Sequence, residues 1–410
     1  MHRRRRLLLL LAAPLFAAAI PCAAISPPSL DVAAADNAFG FRLLNAVQKT
    51  VPGGNVILSP VSAALNLSMV LNGADGQTKE EMLAALSLSA SEISAINAAN
   101  AKLIKTIRTP ASSITLSVAD SLWVNSHRAT LLPDYSKRIR ASYDAEMADL
   151  DFTNPSAAQR INSWASKETQ GKIPRVIDRI DPAELVLLLN AVYFKGQWTH
   201  KFDEAKTQRS DFMLDSGSAK RVSRMAQSGR FDYFETPQMQ AIRLPFGEGD
   251  LVMEVLLPAR SSPLGAFEAQ LTPDLWKNWR AQYAQRSGTI ELPRFELKSN
   301  YRLNGPLQVL GMNRAFDPNG AQLTGMLSSA PDQPHLGRVS ISSVLQSTYW
   351  KVDEEGSEAA AVTTTQIRAT AVARPEQPFR MVVDRPFFCA IEDERSGALL
   401  FVGAIYDPGA

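Results

Sequence analysis

The spacing of apolar residues predicts a helical first half and a strand-rich second half. Apolar positions recur with the helical period in six segments of the first half, at 36–48, 59–72, 80–88, 92–107, 132–142 and 156–169. In the last segment, the buried face is expected to hold Ala158, Ile161, Trp164 and Ala165. Two apolar runs in this half, 115–124 and 185–195, predict strands, and the second is continuous enough for burial on both faces.

The second half contains short apolar or alternating runs that are typical of strands. They lie at 231–235, 239–245, 251–257, 289–297, 341–352, 379–383 and 399–404, with short helices expected at 271–281 and 306–312. Helices that come first and strands that follow, without a strand–helix–strand rhythm, predict an α+β fold with large antiparallel or mixed sheets.

Residues 353–378 stand out because they join two strongly patterned segments without a helix of their own. Connections of this length are uncommon in compact domains and are usually functional or disordered. When the residues from 357 to 369 are split with the period of two of a strand, every charge falls on one face. The uncharged face holds Ser357, Ala359, Ala361, Thr363, Thr365, Ile367 and Ala369, and the other holds Glu358, Ala360, Val362, Thr364, Gln366 and Arg368. The pattern predicts a strand whose uncharged face can enter a core, and an alanine- and threonine-rich linker is the alternative.

Residues 1–24 have the three parts of a secretory signal. A basic start at 2–6 precedes an apolar run at 7–19 and small residues at 22–24. We therefore expect a mature chain of 25–410 that is a single domain and is secreted or periplasmic. A twin-arginine route and a lipid anchor on Cys22 are alternatives, and Pro21 is a poor match to the second.

Composition excludes several classes of protein. With 45% hydrophobic and 20% charged residues the chain is ordinary for a globular protein, and a net charge of +2 gives no reason to expect nucleic-acid binding. No apolar run after the signal is long enough to cross a membrane. Once cleavage has removed Cys22, Cys389 is the only thiol, and its apolar surroundings predict a buried small side chain.

Catalytic and metal-binding patterns are absent from the sequence. The four histidines are His2, His127, His200 and His335, and no two of the last three have metal-ligand spacing. A nucleophile elbow and a phosphate-binding loop are also missing. We therefore expect neither an enzyme nor a bound metal or cofactor.

The chain resembles the serpins over about residues 30–408, because many dispersed motifs of that family occur in the family's order. They lie at 55–62, 71–78, 161–164, 169–173, 189–198, 202, 310–312, 316, 323–326, 354–361, 384–387 and 401–403. The resemblance implies a serpin fold, with a large mixed central sheet, further sheets, about nine helices and an exposed reactive-centre loop at about 354–378. It also implies that a serine or cysteine protease attacks this loop, which then inserts into the central sheet and traps the acyl-enzyme.

The hinge of the loop is similar to that of inhibitory serpins. It comprises Glu354, Glu355, Gly356, Ser357, Glu358, Ala359, Ala360 and Ala361. The inward positions carry no charge and no bulky side chain, so insertion has no large desolvation cost. This favours a monomeric suicide-substrate inhibitor over a non-inhibitory binding or chaperone protein of the same fold. An exposed strand-like loop also carries a hazard of loop–sheet polymers.

Family spacing from Gly356 places the reactive bond between Thr370 and Ala371. The surrounding residues are mostly small and apolar, which suits an elastase-like or subtilisin-like target. A trypsin-like protease that cleaves between Arg368 and Ala369 is the alternative.

Four further residues match family positions where the sheet opens. Trp198 corresponds to the breach at the top of the sheet, and Ser62, Asn190 and Gln346 to the region beneath its middle. The family commonly has a histidine where this chain has Gln346. Glutamine both donates and accepts hydrogen bonds, so we expect it to join Ser62 and Asn190 without titrating.

Opening of this sheet should therefore lack a histidine-linked pH dependence. Gln346→His should add one between about pH 5 and 8, where histidine titrates. The rate of loop insertion across that range is the measurement, and identical profiles for parent and variant would contradict the prediction.

Overall fold

Most helices of this chain lie in its first half, as the apolar spacing predicts. The computed structural model describes residues 30–88, 92–108, 114–330, 339–356 and 377–409. Within them are nine α-helices: α1 (Val32–Gln48), α2 (Pro60–Leu71), α3 (Gly76–Ala85), α4 (Ile93–Ile107), α5 (Pro133–Tyr143), α6 (Ser156–Glu168), α7 (Leu264–Glu268), α8 (Pro273–Arg280) and α9 (Asn304–Val309). Residues 31–409 belong to one compact unit.

Sixteen strands occur in the same residues. They are β1 (Val56–Leu58), β2 (Ile114–Asn125), β3 (Ala129–Leu131), β4 (Glu146–Leu150), β5 (Val186–Gly196), β6 (Gln208–Met213), β7 (Ala219–Thr236), β8 (Met239–Phe246), β9 (Leu251–Pro258), β10 (Ala284–Pro293), β11 (Phe295–Arg302), β12 (Leu327–Ser329), β13 (Ser343–Val352), β14 (Phe379–Val382), β15 (Phe387–Asp393) and β16 (Ala398–Ile405). The expected α+β class is confirmed.

Two large mixed sheets organise these strands. The five-stranded sheet has the order β11-β13-β5-β2-β4, in which β13 is parallel to β5 and β2 is parallel to β4. The nine-stranded sheet has the order β1-β16-β15-β9-β8-β7-β10-β14, and β6 pairs with β7 at its side. The small pair β12-β3 completes the described strands.

The sequence prediction of one strand at 289–297 was wrong. Residues 284–293 pair with β7 in the nine-stranded sheet, whereas Phe295 already pairs with Val352 in the five-stranded sheet. The chain changes sheet at Arg294, whose backbone N–H donates to the carbonyl of Ser223. A single residue between two strands leaves the apolar alternation almost unbroken, so the pattern could not show the change.

Helix α6 covers the outer face of the five-stranded sheet. Ile161 and Ala165 are fully buried against Trp123 and the β5 side chains. Trp164 is partly buried and meets Trp123 edge-to-face, with ring centroids 6.1 Å apart. The sequence pattern predicted that Ala158 is buried at the start of this helix. The buried residue there is Ala157 instead.

Cys389 is fully buried in β15, as predicted for a small apolar side chain. Burial raises the pKa of its thiol well above the usual range. None of the described helices is long and apolar enough to cross a bilayer.

Strand β14 pairs with β10 at the edge of the nine-stranded sheet, and the ring of Phe379 packs into the sheet there. Phe379 stacks on Tyr233 with centroids 3.8 Å apart, and its ring lies directly over Gly288 of β10. A Cβ atom on Gly288 would lie 2.2 Å from Cδ1 of Phe379, so only glycine leaves room for the Phe379 ring at this position.

Gly288→Ala should therefore destabilise the native protein by about 1–3 kcal/mol, because the ring must leave its stack. Gly229→Ala is the matched control, since Gly229 lies opposite Gly288 in the same strand pair and its Cβ would meet nothing closer than 3.5 Å. Denaturation midpoints and hydrogen exchange of the β14 amides measure the effect. Equal losses in the two variants would show that Phe379 is not the anchor.

Candidate functional site

Strands β5 and β13 run side by side in the same direction across the five-stranded sheet. Their register extends from the pair Ser343 and Leu187 to the pair Trp350 and Phe194. We call the boundary between these two strands the seam. The predicted hinge begins at its upper end, and Ser62, Asn190 and Gln346 lie at its middle.

Gly356 occupies the upper end of the seam. It makes an antiparallel bridge with Gln197, the residue just beyond β5, and a second bridge with Asp353. Its φ of 111° is one that other residues rarely adopt, and a Cβ here would lie 2.3 Å from the carbonyl oxygen of Gly196. The rest of the hinge (357–361) and both candidate reactive bonds, Thr370–Ala371 and Arg368–Ala369, lie outside the described residues.

Trp198 holds the chain that leaves β13. Its backbone N–H donates to the carbonyl of Glu355 at 3.1 Å, and its indole Nε1 donates to the carbonyl of Asp353 at 2.8 Å. Its ring stacks on Phe246 with centroids 4.3 Å apart. Trp198 therefore joins the end of β5 to the chain that leaves β13.

Glu354 is a buried carboxylate that clamps the hinge to two distant segments. Its side chain is 3% exposed and accepts from Arg294 Nε at 2.6 Å and from the hydroxyl of Thr207. Its carbonyl accepts from the N–H of Phe202 at 3.0 Å. Next to it, Glu355 forms an ion pair with Lys201. Buried charges are stable only when they are paired in this way.

Gln346 binds a different partner from the expected ones. Its side chain accepts from the N–H of Ser59 and donates to the carbonyl of Ser59, both at 3.0 Å. Ser59 is the N-cap of α2, with Pro60 at the first helical position, so its own N–H has no partner within the helix. Asn190 lies opposite Gln346 in register, yet both polar atoms of its side chain are buried without a hydrogen-bond partner in the described part of the chain.

Ser62 contacts an acid that the sequence did not single out. Its hydroxyl donates to Oδ1 of Asp120 at 3.3 Å, and Nδ2 of Asn66 donates to the same oxygen at 3.4 Å. Burial raises the pKa of Asp120 from 3.8 to about 7. The hydrogen bonds from Asn66 and Ser62 and the charge of Arg108 lower this pKa, but by less than burial raises it. An acid among apolar residues of a predicted buried strand was the signal that could have identified it.

Asp120, Asn190 and Gln346 form a row across the sheet. Asp120 pairs with Asn190 between β2 and β5, and Asn190 pairs with Gln346 between β5 and β13. Register partners point to the same face of a sheet, and this face lies on α2. A polar row therefore crosses the seam on the face that packs against α2.

The outer face of the seam is covered by α6 and the segment 169–177 that follows it. Asn300 of β11 donates to the carbonyl of Val176 at 2.9 Å, and the amine of Lys172 lies 5.7 Å from the ring centroid of Tyr349 in β13. The segment thus reaches from α6 over the seam to β11.

These contacts surround a closed boundary between two parallel strands of the five-stranded sheet. The chain matches the model of the family Serpin (serine protease inhibitor) over residues 34–408, and it belongs to this family. It is 33% identical over 389 residues to leukocyte elastase inhibitor of Sus scrofa, covering 92% of this chain and 99% of that protein. To Iripin-2 of Ixodes ricinus it is 32% identical over 379 residues, covering 90% and 92%.

Solved structures agree with this assignment. The native state of the thermophilic serpin tengpin superposes with a TM-score of 0.82 at 26% identity, covering 92% of this chain and 94% of that one. Mouse protein-Z dependent protease inhibitor superposes with a TM-score of 0.81 at 28% identity, covering 93% and 98%. The serpin fold that the motifs implied is therefore confirmed. In the residues that the structure describes, no group of three or more acids, histidines or cysteines could hold a metal ion.

Arg294→Ala should destabilise the native protein by about 2–4 kcal/mol, because it leaves the buried Glu354 carboxylate without its cation. Arg380→Ala is the matched control, since Arg380 is 72% exposed and its partner Glu291 keeps Arg224. Chemical denaturation midpoints compare the two, with the control expected within about 0.5 kcal/mol of the parent. Similar losses from both would mean that the clamp does not depend on this pair.

Proposed function

We propose that this protein is a suicide-substrate inhibitor of serine proteases that traps its target by inserting the cleaved loop into the seam. The observation that supports this most is the antiparallel bridge between Gly356 and Gln197. The chain leaving β13 has turned back beside β5, so a continuation would run antiparallel to both strands of the seam. The protein is then an inhibitor and not itself an enzyme.

The protease would attack the carbonyl carbon of Thr370 with its serine hydroxyl. The Thr370–Ala371 bond breaks, the amine of Ala371 leaves with the C-terminal segment, and the acyl group stays on the protease. The freed loop inserts between β5 and β13, where its backbone gains hydrogen bonds and its uncharged face gains burial. This insertion must be faster than hydrolysis of the acyl-enzyme for inhibition to result.

The register of the Gly356 bridge predicts what the inserted strand meets. Each residue added after 356 pairs with one residue before 197, so Thr363 comes opposite Asn190. Thr363 belongs to the uncharged face of the sequence pattern, and Asn190 points to the α2 side of the sheet. The hydroxyl of Thr363 would supply a hydrogen-bond partner for the buried amide of Asn190. That amide has no partner among the described residues in the closed sheet.

The target is proposed to be elastase-like or subtilisin-like. The residues 369–373 are Ala, Thr, Ala, Val and Ala, which suit a small or shallow specificity pocket. A curated relative named leukocyte elastase inhibitor supports the same choice. Cleavage after Arg368 by a trypsin-like protease is the alternative. The signal-like residues 1–24 support action outside the cytoplasm, and we propose that the protein acts there as a monomer.

Incubation with pancreatic elastase, subtilisin and trypsin, followed by denaturing electrophoresis and mass spectrometry, tests the proposal. We expect a covalent complex and a released peptide that begins at Ala371. A peptide that begins at Ala369 would move the reactive bond to Arg368. Loop cleavage with a fully active protease and no gain in thermal stability would favour a non-inhibitory binding protein.

A charge on the inward face of the hinge should convert the inhibitor into a substrate. Ala361→Arg requires a guanidinium to enter the core during insertion, whereas Ala360→Arg, one residue away, presents the same side chain to solvent. The ratio of covalent complex to cleaved protein measures the effect and should fall at least tenfold for Ala361→Arg alone. Equal ratios in both variants would contradict strand insertion with this face inward.

A further inference from the structure

A cavity of ≈ 400 Å³ lies at the lower end of the seam, where β13 begins. One wall consists of β11 and β13, which contribute Arg302 and the pair Ser343 and Leu345. The opposite wall is the stretch 175–179, which we call the rim. The volume lies within the range of roughly 300–1,000 Å³ that is usual for sites of small molecules.

Three guanidinium groups and two carboxylates line this cavity. Arg302 pairs with Glu184 at 2.9 Å, and Arg175 pairs with Asp178 at 2.6 Å. The third guanidinium belongs to Arg179, which is exposed and forms no ion pair with any residue that the structure describes. The cavity therefore has one positive charge more than its own acids balance.

The carboxylate deepest in the cavity is already occupied. One oxygen of Glu184 accepts from the hydroxyl of Ser343 at 2.6 Å as well as from Arg302, and the other accepts from the backbone N–H of Asp181 at 3.4 Å. A molecule that enters therefore meets guanidinium N–H groups as the available polar partners. A guanidinium presents its donors in a planar fork that matches carboxylate and phosphate oxygens.

Apolar surface lies next to these donors. Leu345 of β13 and Ile177 of the rim are partly buried against the core under α6, and Val176 is 2% exposed. A ligand that matches the whole cavity thus combines anionic oxygens with a compact apolar group.

We propose that this cavity binds a small organic anion, namely a phosphate monoester or a carboxylate with an aromatic or branched aliphatic group. The oxygens would bind Arg175, Arg179 and Arg302, and the apolar group would lie on Ile177 and Leu345. Such a ligand contacts both walls and therefore joins β11 to the rim.

The two walls lie on opposite sides of the seam. Arg302 belongs to β11, which pairs with β13. The rim is fixed to α6 by Asn162, whose side chain makes three hydrogen bonds of 2.8–3.1 Å with the backbone of Val176 and Ile177. Helix α6 in turn packs on β2 and β5. Asn300 of β11 makes one bond to the rim, at 2.9 Å to the carbonyl of Val176.

A ligand that joins the walls should oppose separation of β5 from β13. A strand inserted between them adds a spacing of about 4.8 Å, which is too far for the same molecule to bridge with hydrogen bonds. The ligand therefore binds the closed seam more tightly and shifts the equilibrium towards it. This consequence rests on the proposed function, whereas the site itself does not.

Calorimetry with phenyl phosphate tests the site on the intact protein. Benzyl alcohol has the ring without the charge, and inorganic phosphate has the charge without the ring. We expect phenyl phosphate to bind at least about fivefold more tightly than either, because it alone matches both parts of the cavity. Equal affinity for either comparison compound would overturn the assignment to an organic anion. Absence of binding up to about 10 mM would overturn the site.

Arg179→Gln removes the guanidinium that has no ion pair and should leave the fold intact. Its affinity for phenyl phosphate should fall about five- to tenfold through loss of a charge-assisted hydrogen bond. Arg209→Gln is the matched control, because Arg209 is exposed on β6 of the other large sheet and its loss changes the net charge equally. The control should bind as the parent does. Equal losses in the two variants would indicate a general effect of charge and overturn the site.

Bridging of the two walls has two measurements of its own. Bound phenyl phosphate should slow hydrogen exchange of the Val176 and Ile177 amides, and it should slow insertion of a synthetic peptide with the sequence 357–370, followed by native electrophoresis. Both effects should be smaller in Arg179→Gln at the same concentration. Unchanged exchange of the rim amides would overturn the bridging.

The outcomes separate this site from the inhibitory function. A seam that accepts no peptide counts against the proposed function, while calorimetry and hydrogen exchange still decide the site and the bridging. A covalent protease complex together with no binding of phenyl phosphate supports inhibition and overturns the site. Slower exchange of the rim amides with an unchanged rate of peptide insertion would overturn the effect on the seam alone.

Discussion

The parallel pairing of β5 with β13 is the contact on which the rest of this structure depends. About 150 residues separate the two strands along the chain, and their boundary is crossed by a polar row instead of continuous apolar packing. Other parts of the molecule keep this boundary closed from three directions. The hinge lies at its top, α2 beneath it, and α6 with the segment 169–177 above it.

Two buried acids near this boundary illustrate different physical solutions. Glu354 has Arg294 in direct contact, so its charge is neutralised and the hinge is fixed at the top of the sheet. Asp120 has only neutral donors in contact, and burial therefore pushes its pKa up to about 7. Direct pairing with a cation compensates the first acid, whereas the second has no cation in contact.

The sequence predicts the elements of the seam better than its connections. The apolar run at 185–195 is visible because β5 is buried on both faces, and Gly356 is visible because its motif is specific. The partners of Glu354 lie 60 and 147 residues away, so no local pattern could identify Arg294 or Thr207. The strands β1, β3, β4, β6 and β12 were missed because runs of three to six residues are too short to show a clear alternation. Strand β15 was also missed, because burial of all its residues removes the alternation altogether. Gln346 was expected to bond Ser62 and Asn190, but it bonds Ser59, and this partner depends on where the helix cap lies in space.

The order of strands in the nine-stranded sheet has a consequence for biosynthesis. Its strands β15 and β16 are synthesised after the other strands of the sheet, and β1 can join the sheet only through β16. Helices α1 and α2 also pack on β16, so much of the core waits for the C-terminus. The connection at 357–376 is synthesised before these strands, when its C-terminal end is not yet tethered. The nascent chain must therefore dock β15 and β16 quickly, since any delay gives the connection time to pair within the wrong sheet.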